Sequence, residues 1–296
     1  MSQAEGLTEK TALEAAEIAC GKVGIDGTGA ELIRMGSNAV FRLKGQIILR
    51  IAREREGFKS ARRQVGVARW LESEDYPANR VLDVRQPVDA LGHPATFWVS
   101  VAEKEAYASV AQVAEVIRDL HKLQAPDSLQ LEQKQPFDEI AERLNAARSL
   151  SGNDERFMRQ RITELSHQYA ELQFLLPRGV IHGDANIGNV ILTRDEAPCL
   201  IDLDSFCIGP REWDLVQTAL FFERFGWHSA DEYKRFVDIY GFDIMKWSGY
   251  ETLASYREIS MTLWLAASET EKAANEVRKR VIAIRNGGDR RDWSAF

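Results

Sequence analysis

The chain has 296 residues, 45% hydrophobic and 28% charged, the balance of a folded protein long enough for two modest cores. A formal net charge of -7, with acidic and basic residues interspersed, lacks the basic face of a nucleic-acid binder, and no apolar run reaches membrane-spanning length. Cys20, Cys199 and Cys207 are too irregularly spaced for a disulfide framework or zinc cluster, no H-E-x-x-H pair occurs, and the polar start shows no signal peptide, so a reducing cytoplasm is the expected location.

Residues 8–23 repeat apolar positions at helical spacing and predict an amphipathic helix. Short β-like runs follow at 31–35, 39–43 and 46–52, joined by Gly36-Ser37-Asn38 and Lys44-Gly45, residues that accept the backbone of tight turns. This predicts an antiparallel meander, then a helix over 57–74 ending before Pro77, then two more strands at 81–84 and 95–101. Beyond 102–105 the pattern turns helical. Val110, Val113, Ile117 and Leu120 share one face of a helix capped by Ser109, and further helices are predicted over 138–150 and 155–175. A β-rich island at 180–202 interrupts them, and four helical segments run on to about residue 284. The expected division is an N-terminal part of residues 1–102 and a C-terminal part of residues 103–296.

The densest chemical signal is Ile181-His182-Gly183-Asp184-Ala185-Asn186-Ile187-Gly188-Asn189-Val190, a polar loop between two apolar strands. Thirteen positions after Asn189 comes Asp202, in Leu200-Ile201-Asp202-Leu203-Asp204. A carboxylate, an amide and a second carboxylate at strand ends suit phosphoryl transfer from ATP, where the protein positions groups and neutralises charge. Magnesium takes hard oxygen ligands, a duty that fits Asn189 and Asp202, while Asp184 fits the group that accepts the proton of an attacking hydroxyl. Gly27-Thr28-Gly29 lacks the third glycine of a dinucleotide fingerprint, with Leu32 in its place, and neither a G-x-x-x-x-G-K-[ST] loop nor a G-x-S-x-G elbow is present.

H-G-D-x-x-x-x-N followed by I-D-x-D resembles the catalytic signature of the aminoglycoside phosphotransferase family, which includes choline kinase and other small-molecule kinases. Gly209-Pro210-Arg211-Glu212-Trp213-Asp214-Leu215 resembles that family's aromatic-Asp-Leu segment, in which Asp214 braces the catalytic loop. Leu120-His121 resembles its Leu-His helix end. The resemblance implies an α+β, protein-kinase-like bilobal fold, with a small N-lobe of antiparallel sheet plus helix and a larger, mainly helical C-lobe. It implies ATP and Mg2+ as cofactors and a small-molecule hydroxyl as acceptor, with no nucleic-acid or membrane partner. Arg50 in Ile48-Leu49-Arg50-Ile51 then stands where the family carries a lysine on the phosphate-binding strand, and Gln64 stands where its helix carries a glutamate. Ser37 and Asn38 match the phosphate-covering turn, and Ser100 and Val101 the strand that contacts adenine. His182 is read as ordering the loop. Asp204 is a second metal contact or an exposed carboxylate, and Asp204, Glu223, Glu258 and Trp264 are assigned to the acceptor by their place in the chain.

The expected activity is transfer of the ATP γ-phosphate to a hydroxyl of an antibiotic, sugar, amino alcohol or nucleoside. The replacements at Arg50 and Gln64 keep a non-catalytic nucleotide-binding module as the alternative. A protein kinase fits less well: 12 positions separate Asp202 from Asp214, little room for a polypeptide-docking segment, and no A-P-E element occurs.

Overall fold

The computed structural model describes residues 7–36, 38–102 and 106–295. The chain forms two compact units that interleave in sequence. The first comprises the residues up to 108 with 125–131 and 188–206, and the second comprises 109–124, 132–187 and 207–296.

The first unit opens with α1 (Glu9–Val23). Thr8 begins it with a capping box to Thr11, and Gly24 ends it in the left-handed conformation that glycine adopts without a steric penalty. Strands β1 (Glu31–Met35), β2 (Asn38–Leu43), β3 (Ile47–Ala52), β4 (Val88–Ala90) and β5 (His93–Val99) make one antiparallel sheet in the order β1-β2-β3-β5-β4. Because side chains alternate across a strand, Ala39, Phe41, Leu43, Leu49, Ile51, Ala95 and Phe97 share one face, and they form a single core with Ala12, Ala15, Ala16 and Ala19 of α1. Each fully buried Leu or Phe there contributes roughly 1.5–3 kcal/mol. The same alternation places Val40, Arg42, Ile48, Arg50, Thr96 and Trp98 on the other face. Helix α2 (Phe58–Ser73) packs against β5.

The expected strand at 81–84 is replaced by a single bridge, Val81 to Trp98. The side chain of Gln86 takes over that edge, with Nε2 donating to the carbonyls of Leu82 (2.8 Å) and Phe97 (3.3 Å) and Oε1 accepting from the Phe97 amide (2.7 Å). The edge strand is β4 instead, turned into β5 through Leu91 and Gly92, both at positive φ as a two-residue hairpin turn requires. Strands β7 (Val190–Leu192) and β8 (Pro198–Leu200) form an antiparallel hairpin, bridged to the same unit through Tyr107–Ile191 and Ala78–Leu200.

The second unit is mainly helical: α3 (Val110–Leu120), α4 (Pro136–Ala146), α5 (Gly152–Ala170), α6 (Val216–Glu223), α7 (Ala230–Tyr240), α8 (Tyr250–Ala266) and α9 (Glu271–Asn286). Ser109 caps α3 with a capping box to Gln112, and its apolar stripe packs on α7. Buried on most of its surface, α8 is surrounded by α4, α5, α6 and α9. Strands β6 (Arg178–Ile181) and β9 (Cys207–Pro210) pair antiparallel. No described helix is long and apolar enough to cross a membrane. The three cysteines are free and buried, and burial pushes the Cys199 thiol up to about 12.

Candidate active site

In the second unit the candidate residues lie where β6 ends. His182 and Gly183 leave the strand with their amides donating to opposite oxygens of Asp214, at 2.7 and 2.8 Å. Gly183 has φ 85°, a conformation in which a side chain would be strained. His121, at the end of α3, donates from Nε2 to the same carboxylate (3.1 Å), and its Nδ1 pairs with the Tyr240 hydroxyl (2.7 Å). Burial pushes the Asp214 carboxyl up. The hydrogen bond and charge of His121, with His182, outweigh that and hold it below the ordinary carboxylate value.

The loop thus clamped presents Asp184, whose side chain is 43% exposed and whose Oδ1 accepts from Arg257 Nη1 at 3.1 Å. The Asp184 amide donates to His182 Nδ1 (3.3 Å), and Asn186 Nδ2 donates to the Asp184 carbonyl (2.9 Å). Nδ1 of His182 thus holds the loop backbone at Asp184. Arg257, on α8, was not singled out from the sequence. The available signal was the pair Arg257-Glu258 as the only charges within residues 252–264.

In the first unit Arg50 reaches from β3 to two carboxylates. Its Nη2 lies 3.3 Å from Asp202 Oδ1 and 3.4 Å from Asp204 Oδ1, and its guanidinium stands 5.9 Å from the Trp98 ring centroid. Asp202 and Asp204 keep 44% and 39% of their side chains exposed. Asp202 is held at φ 61°, an uncommon conformation for a residue with a side chain and one that recurs where function constrains the backbone. Arg63 Nη2 donates to the Asp204 carbonyl (3.2 Å). Arg50, Asn189 and Asp202 line one cavity of about 540 Å³ with Val40, Ile48, Trp98 and residues 100–102. Asn38, Gln64 and Asp204 line a second of about 610 Å³, with Arg50 again in the wall.

Gln64 does not pair with Arg50: its Nε2 donates to Ser60 Oγ (3.2 Å), and the carboxylates at Arg50 are those of Asp202 and Asp204. Ser100 donates from Oγ to the Ala102 carbonyl (3.1 Å), with Val101 beside it in the cavity wall. Ser37 lies outside the described residues.

Of the residues assigned to the acceptor, Asp204 sits at Arg50. Glu258 is buried, and its oxygens are engaged by Arg224 (2.8 Å) and Arg290 (2.8 Å), a closed ionic network in place of an open ligand site. Glu223 pairs with Arg224 and accepts from the Tyr250 hydroxyl, both at 3.3 Å. Trp264 is exposed on α8. The aromatic segment 221–227 packs as core, with Phe221 and Phe225 buried against Trp227 and Phe225 against Trp293.

A family model described as "Phosphotransferase enzyme family" matches residues 30–256. The chain belongs to this family. No curated protein matches it by sequence. Among solved structures this family member is similar to amicoumacin kinase hAmiN in complex with AMP-PNP, Ca2+ and Ami (13% identity, 90% of each chain, TM-score 0.68). It is also similar to choline kinase LicA from Streptococcus pneumoniae (16% identity, 88% of this chain and 93% of that one, TM-score 0.62). A third likeness is to spectinomycin phosphotransferase in complex with ADP and spectinomycin (14% identity, 96% and 99%, TM-score 0.59). These likenesses give the family member its α+β, protein-kinase-like fold.

Among the described residues no three His, Cys, Asp or Glu side chains converge to cage a metal. Asp202 and Asn189 both line the 540 Å³ cavity and offer hard oxygen donors. Such a small protein share fits magnesium, which completes its shell with phosphate oxygens and water.

Proposed function

We propose that the chain transfers the γ-phosphate of ATP to a hydroxyl of a small molecule. The observation that carries this is the cavity that Arg50, Asn189 and Asp202 line together with residues 100–102. Nucleotide binding belongs to the first unit: Arg50 pairs with phosphate oxygens, Asn38 covers them, and backbone groups of 100–102 contact adenine. Asn189 and Asp202 are the residues that would hold Mg2+, which when bound neutralises charge on the transferred phosphoryl group. Asp184, in the second unit, accepts the acceptor's proton as the hydroxyl oxygen bonds to the γ-phosphorus and the bond to the ADP oxygen breaks. A coupled ADP-release screen with kanamycin, spectinomycin, choline, sugars and nucleosides tests this. Acceptor-dependent ADP release by the wild type, lost in Asp184→Asn, supports it; release that no acceptor stimulates overturns it.

One observation favours a second reading, non-catalytic nucleotide binding: Gln64 bonds to Ser60 and leaves Arg50 without the helix carboxylate its family carries. Calorimetry with MgATP separates the two, since binding without ADP release on any acceptor selects the second.

A further inference from the structure

The geometry points to Arg257 as a positioning residue that sets the orientation of the Asp184 carboxylate for phosphotransfer. Arg257 emerges from α8 with its side chain 9% exposed, so its charge is costly unless paired. Among the described residues its one ion-pair partner is Asp184, 43% exposed. The pair therefore runs from the core out to a reactive group. Its neighbour Glu258 differs, because Arg224 and Arg290 close its charge inside the protein.

The guanidinium plane is fixed before it meets Asp184. It stacks 5.0 Å from the Trp213 ring centroid, and Nη2 donates to the Gly183 carbonyl (2.8 Å). That carbonyl also accepts from Trp213 Nε1 (2.9 Å). With one prong tied to the loop backbone, the other meets Oδ1 of the next residue at 3.1 Å. A rigid fork can bond a backbone carbonyl and a carboxylate in fixed relation; a lysine ammonium, a point charge on a flexible stem, cannot. Asp214 fixes the loop's main chain and Arg257 fixes its reactive side chain.

This inference rests on the phosphotransfer reading. Its test uses the full-length protein and the first of kanamycin, spectinomycin and choline that the wild type phosphorylates. For Arg257→Ala, kcat is expected to fall about a hundredfold, the scale of a roughly 1 Å misplacement of a catalytic group, with KM for MgATP unchanged. Millimolar guanidinium chloride should restore at least about a tenth of the lost rate, which repair of a merely structural defect would not do. Arg257→Lys keeps a cation over Trp213, so it should melt near the wild-type Tm yet lose a similar share of kcat. Unchanged kcat in Arg257→Ala, wild-type kcat in Arg257→Lys, or a loss that guanidinium leaves untouched overturns the role while the phosphotransfer reading stands. A wild type inactive on the whole panel removes both.

Discussion

The buried carboxylate of the second unit and the half-exposed carboxylates of the first are held in opposite ways. In the second, Asp214 is wholly buried, and both its oxygens accept hydrogen bonds from His121, His182 and Gly183. In the first, Asp202 and Asp204 are 44% and 39% exposed and share one arginine through contacts of 3.3 and 3.4 Å. A buried charge with every partner supplied by its own chain fixes geometry, and changing it costs stability. Half-exposed carboxylates at a cavity wall are accessible from the cavity. Substitutions should therefore separate cleanly into losses of activity and losses of stability.

The largest effect is expected at Asp202. Asp202→Ala should lower kcat/KM for MgATP by more than about 10⁴-fold, beyond the general-base range, with Tm within a few degrees of wild type. Next comes Asp184→Asn, expected to lower kcat by about 10²–10⁴-fold while MgATP affinity by calorimetry stays unchanged. A Tm drop in either variant that matched its loss of rate would dissolve the contrast between half-exposed and buried carboxylates.

Asp214→Asn should cost about 3 kcal/mol of unfolding free energy, because charged hydrogen bonds to His121 and two amides are weakened together. The pH dependence sharpens this. The folded carboxyl lies below its ordinary value, so its contribution is full above the ordinary carboxylate range and is lost as pH falls through the folded value. Wild-type Tm should thus drop below about pH 4, and that limb should flatten in Asp214→Asn. The smallest effect belongs to Arg50→Lys. It puts a compact ammonium, the cation that the family resemblance implies there, in place of the planar guanidinium whose Nη2 meets Asp202 and Asp204, and about a tenfold change in KM for MgATP with little change in Tm is expected.

What the sequence made legible follows from how far apart the interacting residues lie. Strands β1 to β3 and helices α1 and α3 were readable because alternation, helical periodicity and, for α3, the Ser109 cap are local signals. The misplaced edge strand was not, since whether residues 81–84 pair depends on the Gln86 side chain reaching Leu82 and Phe97. Strand β9, four residues containing Gly209 and Pro210, has too little alternation to register. The loop motif at 182–189 suggested its proposed chemistry by residue type and spacing. Its partners did not: Arg257 lies 73 positions from Asp184, and Arg50 lies 152 positions from Asp202. Glu258 read as a ligand candidate for the same reason, because nothing local reveals that Arg224 and Arg290 enclose it.

Phosphorus NMR of the wild type with MgATP and a hydroxyl acceptor reaches the chemistry itself. A phosphotransferase of this kind produces a phosphomonoester signal on the acceptor that grows in step with ADP and grows at least about a hundredfold more slowly with Asp184→Asn. Inorganic phosphate as the only new signal, or ATP bound and unchanged, would contradict transfer to a hydroxyl.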